Sequence, residues 1–393
     1  MKHRNSSQSV LACSRRANFS IVLTGNRAQF KFADGLRAVA AIGVALFHTY
    51  TYTGLSEQNQ QLPVFFKILN LGDFAVAVFI VLSGFVLMLP VARTARFTVR
   101  GGIGQFLTRR ARRILPPYYA AIVAFLIAIL IIPGLNEKTG TAWDSKVPVS
   151  IDGIISHALM LHNLSPTWVY QIDGPAWSVA TEWQIYFAMP LLLLPVWRHF
   201  GGRVAVVLAI LIGWAVHFLL PQVDAAHYWF LGLFALGMAA GSHAYRGTVR
   251  VRGSYVVAAM LVTLLPAAAA FGAMHRFAWL SETAVGAAVA LLLTWLAQRT
   301  VDGEQTRVHR MLEWRPLVQA GNWSYSLYLI HSPIIGITNM ILLPIHMPLV
   351  VRFALLACIA LPIAGLASYA FHCLVERRFM TSHQQSLRTA GHV

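Results

Sequence analysis

The sequence predicts an all-α, polytopic membrane protein of about ten transmembrane helices, with both termini cytoplasmic. Three observations carry this. The chain is 57% hydrophobic and only 11% charged, where a soluble globular protein carries about 25% charged residues. Ten windows hold close to the ~20 mostly apolar residues that a span requires. Lysine and arginine crowd every second connection between those windows, as the positive-inside rule demands of an even number of spans.

In chain order, a polar basic tail, 1–30, lacks the long apolar run of a cleavable signal and precedes span one at 34–54. Span two, 72–92, runs through "VFIVLSGFVL" without a charge and gives way to seven arginines between Arg93 and Arg113. Span three is placed at 115–133. The segment after it, 134–178, contains "IDGIISHALMLHN", apolar on one side and expected to lie in the membrane interface. Spans four and five, 179–197 and 203–220, are joined by a short loop with Arg198 and Arg203. Span six, 227–243, is followed by Arg246, Arg250 and Arg252; spans seven and eight are placed at 254–272 and 279–297, the latter followed by Arg299, Arg307, Arg310 and Arg315. Spans nine and ten occupy 322–343 and 348–373, and Arg377, Arg378 and Arg388 close the chain. The alternate loops and their edges hold only Lys67, Lys138, Lys146, Arg276 and Arg352. The expected organisation is a tail at 1–30, one transmembrane domain at 31–376 and a cytoplasmic tail at 377–393.

The net charge of +17 is therefore a topology signal with anionic lipid headgroups as its partners, and not a nucleic-acid surface, because no basic face interleaves with aromatics. Cys13, Cys358 and Cys373 are scattered, so neither a disulfide framework nor a metal site is expected.

Ionisable residues inside spans are costly and are candidates for function. Within "FADGLRAVAAIGVALFH", Arg37 and His48 share one helix face, roughly 16 Å apart, with Asp34 one turn before Arg37. Arg37 can equally snorkel to the headgroups while pairing with Asp34. Glu182 in "GPAWSVATEWQIYF" is expected in the outer half of the membrane at a depth similar to His48. "GNWSYSLYLIHSPI" adds Ser324, Ser326, Tyr328 and His331; Ser83 and Gly84 sit mid-span in span two; and "RRARR" supplies Arg109, Arg110, Arg112 and Arg113 at the inner boundary. The serines and Gly84 also read as helix–helix contacts. His217 and His372 have no polar company in the sequence and read as structural.

A histidine can take a proton from a hydroxyl at neutral pH, the main need of acyl transfer to an alcohol. A carboxylate at similar depth would hold its tautomer and stabilise the imidazolium. No Gly-x-Ser-x-Gly elbow is present, so direct transfer from a thioester with His48 as general base fits better than a serine nucleophile. An anionic donor such as acyl-CoA would find cationic partners in the inner arginines.

These residues stand in strings that resemble the membrane-bound acyltransferase-3 family, which acylates bacterial surface polysaccharides, nodulation factors and some macrolides. The family's Arg-x10-His signature is matched by Arg37 and His48, its F-x-x-L-SGF string by Phe79 to Phe85, its basic motif before Ile-x-Pro-x-Tyr by "RRARRILPPYY", its WS-x-x-x-E by Trp177 to Glu182, its SYSLYL-x-H-x-P by Ser324 to Pro333, and its VER-x-F by Val375 to Phe379. The resemblance covers about 30 to 380. It implies a catalytic role for His48 with Arg37 and Glu182, and donor binding by the arginine cluster, chiefly Arg110 and Arg113, with Ser83 and Tyr119. It further implies support from Asp34, Trp177, Ser326, Tyr328 and His331. Glu182 is followed by Trp183-Gln184, where the family often has Glu-Gln, so a second carboxylate is missing. The expected activity is O-acyl transfer, acetyl in the first instance, from cytoplasmic acyl-CoA to a carbohydrate or glycoconjugate hydroxyl. The place is the bacterial inner membrane, with no metal and no permanently bound cofactor. A transporter or flippase of lipid-linked glycans is the alternative; it would be expected to show helix pairs interrupted in two matching halves, and no such symmetry is visible.

Overall fold

The computed structural model describes residues 30–57, 63–247, 249–269 and 276–380. Most of both predicted tails, 1–29 and 381–393, lies outside the described residues. Among those described every regular element is helical, and seven helices are long and apolar enough to cross a membrane.

The main helices are α1 (Lys31–Tyr52), α2 (Ala75–Ala92), α3 (Gly102–Ile131), the short α4 (Ile151–Ala158), α5 (Ala176–Ala188), α6 (Leu194–Leu219), α7 (Phe230–Arg246), α8 (Gly253–Ala269), α9 (Ala278–Val301), the short α10 (Arg307–Leu312) and α11 (Arg315–Asn322), α12 (Ser324–Leu342), α13 (Leu349–Leu355) and α14 (Leu361–Leu374). Each of the ten predicted windows falls on a helix, apart from 270–272, which lies outside the described residues. Seven rather than ten meet the length and apolarity of a span for a physical reason. Phe230–Arg246 has 17 residues and Gly253–Ala267 is also short, while Ala176–Leu219 is one run of 44 residues that contains two predicted spans. That run is a hairpin. Gly201 interrupts it at φ 85°, ψ 166°, a conformation in which a Cβ would be strained. Trp177, near its start, stacks on His227 at 4.3 Å, and His217, near its end, meets Trp229 at 5.5 Å. Both ends of the run therefore lie at the same end of the bundle.

α2 is apolar all round, as a helix buried among others must be, and it packs most extensively against α7. The two run parallel, and their backbones touch: a Cβ on Gly84 would come 2.1 Å from the Phe234 carbonyl oxygen, and one on Gly237 would come 2.0 Å from that of Val81. Small residues permit this approach where no hydrophobic effect drives helices together in lipid. α1 is fixed in the same way at its first turn, where Gly35 abuts the Leu312 carbonyl and Gly321 abuts that of Asp34.

α4 is amphipathic in the sense expected of an interfacial segment. Ile151 and Ile155 point outward, while Gly153, Ser156 and His157 are buried. It covers the end of the bundle at which α1 finishes, through hydrogen bonds from Tyr118 to the His157 carbonyl (3.1 Å) and from Tyr119 to that of Ala158 (2.7 Å).

Gly84→Leu should therefore abolish the native fold. Overpacking typically costs about 1–3 kcal/mol and more where backbone itself must move, and size-exclusion profiles in detergent should lose the monodisperse peak. Gly104→Ala, where nothing lies within 4 Å, should leave the profile unchanged.

Candidate active site

α1 and α12 run parallel from the contact of Gly321 with the Asp34 backbone, and this register carries His48 to His331. The His331 Nε2 lies 3.2 Å from the His48 Nδ1, with ring centroids 5.0 Å apart. The His331 Nδ1 is 2.8 Å from the Leu327 carbonyl oxygen, and the His48 Nδ1 is 3.0 Å from that of Val44. A carbonyl only accepts, so the His331 Nδ1 carries a proton and, in the neutral ring, its Nε2 is an acceptor. The His48 Nδ1–H then donates to Val44 and His331 together, which leaves the His48 Nε2 with a free lone pair. The tautomer follows from the hydrogen-bond network. One turn further on, the Tyr52 hydroxyl meets Ser332 at 3.1 Å, and Asn339 donates to the Tyr52 carbonyl at 2.9 Å. Below the pair, Tyr328 shares hydrogen bonds with Ser178 (2.6 Å) and the Pro175 carbonyl (3.1 Å).

Glu182 is elsewhere. It accepts from Ser83 and from the Tyr186 hydroxyl, the latter at 2.6 Å, and no hydrogen bond joins it to His48. Arg110 lies within electrostatic range of Glu182 and Tyr186, and Arg113 within range of Arg110 and Tyr186. Arg109 is engaged with Gln105 and the Arg100 carbonyl, and Arg112 is exposed. The depth expected for Glu182 is corrected by the same contacts. Its partner Ser83 lies half a turn from Phe85, whose ring packs on Phe32 at the first turn of α1, so Glu182 sits roughly 15–20 Å from His48 along the bundle axis. The cause is that α5 does not start at the membrane surface: Pro175, at its N-cap, is already beneath the histidine pair.

Arg37 pairs with Asp34 at 2.7 Å near the start of α1. Ser326 donates to Glu376 (2.7 Å), which also holds the His372 Nδ1 at 2.7 Å. His372 therefore has a carboxylate partner, and so does His217, 2.6 Å from Asp224; the reading of both as lacking polar company is overturned. Ser324 bonds the Gly321 carbonyl. Trp177 and Tyr119 serve the packing of His227 and α4 described above.

Sequence reasoning also missed a group of buried polar residues over the histidines. Lys146 is 2% exposed and Asp173 0%, and neither carboxylate oxygen of Asp173 has a hydrogen-bond partner. Burial pushes the Asp173 carboxyl up to about 7, against the opposing pull of Lys146. Beside them His157 and His162 stack at 3.9 Å, and burial lowers them to about 4 and about 2. The signal in the sequence was slight: one lysine in an otherwise weakly charged segment, and an aspartate before Gly174-Pro175.

A carboxyl raised by burial removes stability as pH climbs from its unfolded value towards its folded one. Asp173→Asn escapes this loss. Its melting temperature relative to the parent should therefore rise between pH 5 and pH 7.5, as thermal unfolding in detergent would register; a difference that stays flat with pH would contradict the burial argument.

Residues 30–369 match the family described as Acyltransferase domain. The chain is 30% identical over 329 residues to Acyltransferase MdmB of Streptomyces mycarofaciens, covering 77% of this chain and 78% of that one. It is 26% identical over 330 residues to Peptidoglycan O-acetyltransferase OatA of Listeria monocytogenes, covering 79% of this chain but half of that protein. No solved structure matches. Relatives of this kind remove the carrier alternative.

Proposed function

From the premise that this chain belongs to the acyltransferase-3 family and is a multi-pass membrane acyltransferase, we propose that it moves a short acyl group, acetyl in the first instance, from cytoplasmic acyl-CoA to a hydroxyl of a glycan or glycoconjugate. In this reading the chain spans the bacterial inner membrane ten times, with both termini and the Asp34 end of α1 in the cytoplasm. The Listeria relative is a peptidoglycan O-acetyltransferase by name, which supports a glycan acceptor and an acetyl group.

The observation that carries the chemistry is the chain of hydrogen bonds from Leu327 through His331 to His48, which leaves one imidazole nitrogen unprotonated and free. His48 Nε2 takes the proton of the acceptor hydroxyl, the oxygen attacks the thioester carbonyl, the C–S bond breaks, and the imidazolium returns the proton to the departing thiolate. His331 takes the part that the sequence suggested for Glu182: it fixes the tautomer. Glu182, with Ser83 and Tyr186, instead faces Arg110 and Arg113, so its role is to order the cationic end that receives the phosphates of the donor. Arg37 and Asp34 sit beside the same end. No step calls for a metal or a bound cofactor, and oligomerisation is left outside the reading.

Purified protein in nanodiscs with labelled acetyl-CoA tests this. His48→Ala should lower acyl transfer by about 10²–10⁴-fold, the usual worth of a general base, at normal membrane levels; near-normal turnover would remove His48 from the chemistry. Arg110→Gln and Arg113→Gln should each raise the acetyl-CoA KM about tenfold with little change in kcat, as the loss of a charge-assisted contact predicts. An unchanged KM with altered membrane orientation would assign these arginines to topology alone.

A further inference from the structure

Above the histidine pair a lysine and an aspartate are buried without touching. The Lys146 ammonium stands 5.8 Å from the centroid of the Tyr52 ring, one helical turn beyond His48, and rests against Gly174, where a Cβ would come 2.8 Å from Nζ. Its charge acts on His48, on His331 and on Asp173. Asp173, in turn, acts on Tyr118 and Tyr328. The two backbones are bound together, since Ile172 donates to the Lys146 carbonyl at 3.2 Å and Ala176 donates to that of Asp173 at 3.1 Å. Trp143, fully buried against Gly336 of α12, anchors the segment and accepts from the Lys146 amide at 2.9 Å. The loop is thus held firmly, yet its two charges form neither an ion pair nor a side-chain hydrogen bond.

Such an arrangement is expensive. Taking an ion out of water without full compensation is costly even after relaxation, and each orphaned polar atom adds to it. A structural pair would close to contact. A pair held apart beside a general base leaves a gap that a ligand completes.

The chemistry of the gap selects the ligand. A carboxylate with two unused oxygens only accepts hydrogen bonds, and an ammonium only donates them. An anionic ligand would satisfy Lys146 and be repelled by Asp173; a cationic one would do the reverse. Neighbouring hydroxyl groups satisfy both, because each donates one bond and accepts others. We propose that Lys146 and Asp173 form the acceptor subsite, holding a neutral polyol such as a sugar ring by hydroxyls that donate to Asp173 and accept from Lys146, and so presenting one further hydroxyl to His48 Nε2. The inference rests on the acyl-transfer reading and deepens it. Neither residue takes the proton; both position the oxygen that loses it. Donor and acceptor then enter from opposite ends of the bundle, the acceptor passing under the segment that carries Trp143, α4 and Asp173.

The test is the fate of the acyl group. Inside-out membrane vesicles from the source cells contain the native acceptor; supplied with acetyl-labelled acetyl-CoA, they partition label between polyol ester and free acetate. Asp173→Asn and Lys146→Met should each lower the ratio of ester to acetate by about tenfold or more, equivalent to one lost hydrogen bond to a charged group. Asp173→Glu and Lys146→Arg should recover part of it. A merely structural role would depress both products together, so an unchanged ratio overturns the subsite whether or not total turnover falls. Label recovered on a compound with a single hydroxyl would overturn it as well. Vesicles of the parent protein that yield neither ester nor acetate would instead overturn the acyl-transfer reading, and the subsite with it.

Discussion

The register between α1 and α12 is the constraint on which the rest depends. In lipid, helices gain little from hiding apolar surface from one another, so their relative heights are set by close packing and by the polar groups that must find partners. At one end, Gly321, just before α12, lets its backbone touch that of Asp34 at the start of α1. Further along, the same register matches His48 to His331 and Tyr52 to Ser332 and Asn339. A shift by a single residue would rotate each of these away by about 100°, leaving buried donors unpaired. Packing at one end therefore sets tautomer at the other.

A second consequence is the separation of charge along the bundle. Arg37, Arg110, Arg113 and Glu182 gather at the Asp34 end, and the histidines lie some 15–20 Å away, close to Lys146 and Asp173. A compact donor could not reach from one to the other. A long, thin donor charged at its far end and reactive at its tip, the shape of the acyl-CoA proposed above, would span the two. Tyr328 stands between the two ends, bonded to Ser178 and to the Pro175 carbonyl, and ties the start of α5 to the face of α12 that carries His331.

What the sequence disclosed and what it withheld divide along physical lines. Helix positions were legible because apolarity in ~20-residue blocks is nearly forced by the bilayer. Arg110 and Arg113 were singled out among four arginines, and of the two it is Arg110 whose charge is felt at Glu182. The His48–Glu182 pairing was not realised, because depth was inferred from distance to the end of an apolar window. α5 begins beneath a covering segment, so the inference misplaced Glu182 by several turns. His372 and Glu376 stand one helical turn apart, and that spacing was open to reading; it was passed over because Glu376 falls just outside the apolar block. Lys146 and Asp173 are separated by a loop with no periodicity, and nothing in a string shows that both are buried.

The covering segment changes how the outer half of the bundle should be understood. An interfacial helix usually presents its apolar side to the acyl chains and its polar side to water. Here the polar side of α4 faces protein: His157 lies stacked on His162, and Tyr118 bonds the carbonyl behind it. With both imidazoles far below their usual range from burial, this layer stays uncharged at neutral pH. Among the described residues, the charged groups whose influence reaches the His48–His331–Tyr328 face from that side include Lys146 and Asp173. Electrostatic forces reach furthest in a buried setting, so at the proposed subsite a neutral acceptor would be oriented by an ammonium and a carboxyl group rather than drawn in by a net field. Selectivity at the proposed subsite would follow from the pattern of hydroxyls an acceptor carries.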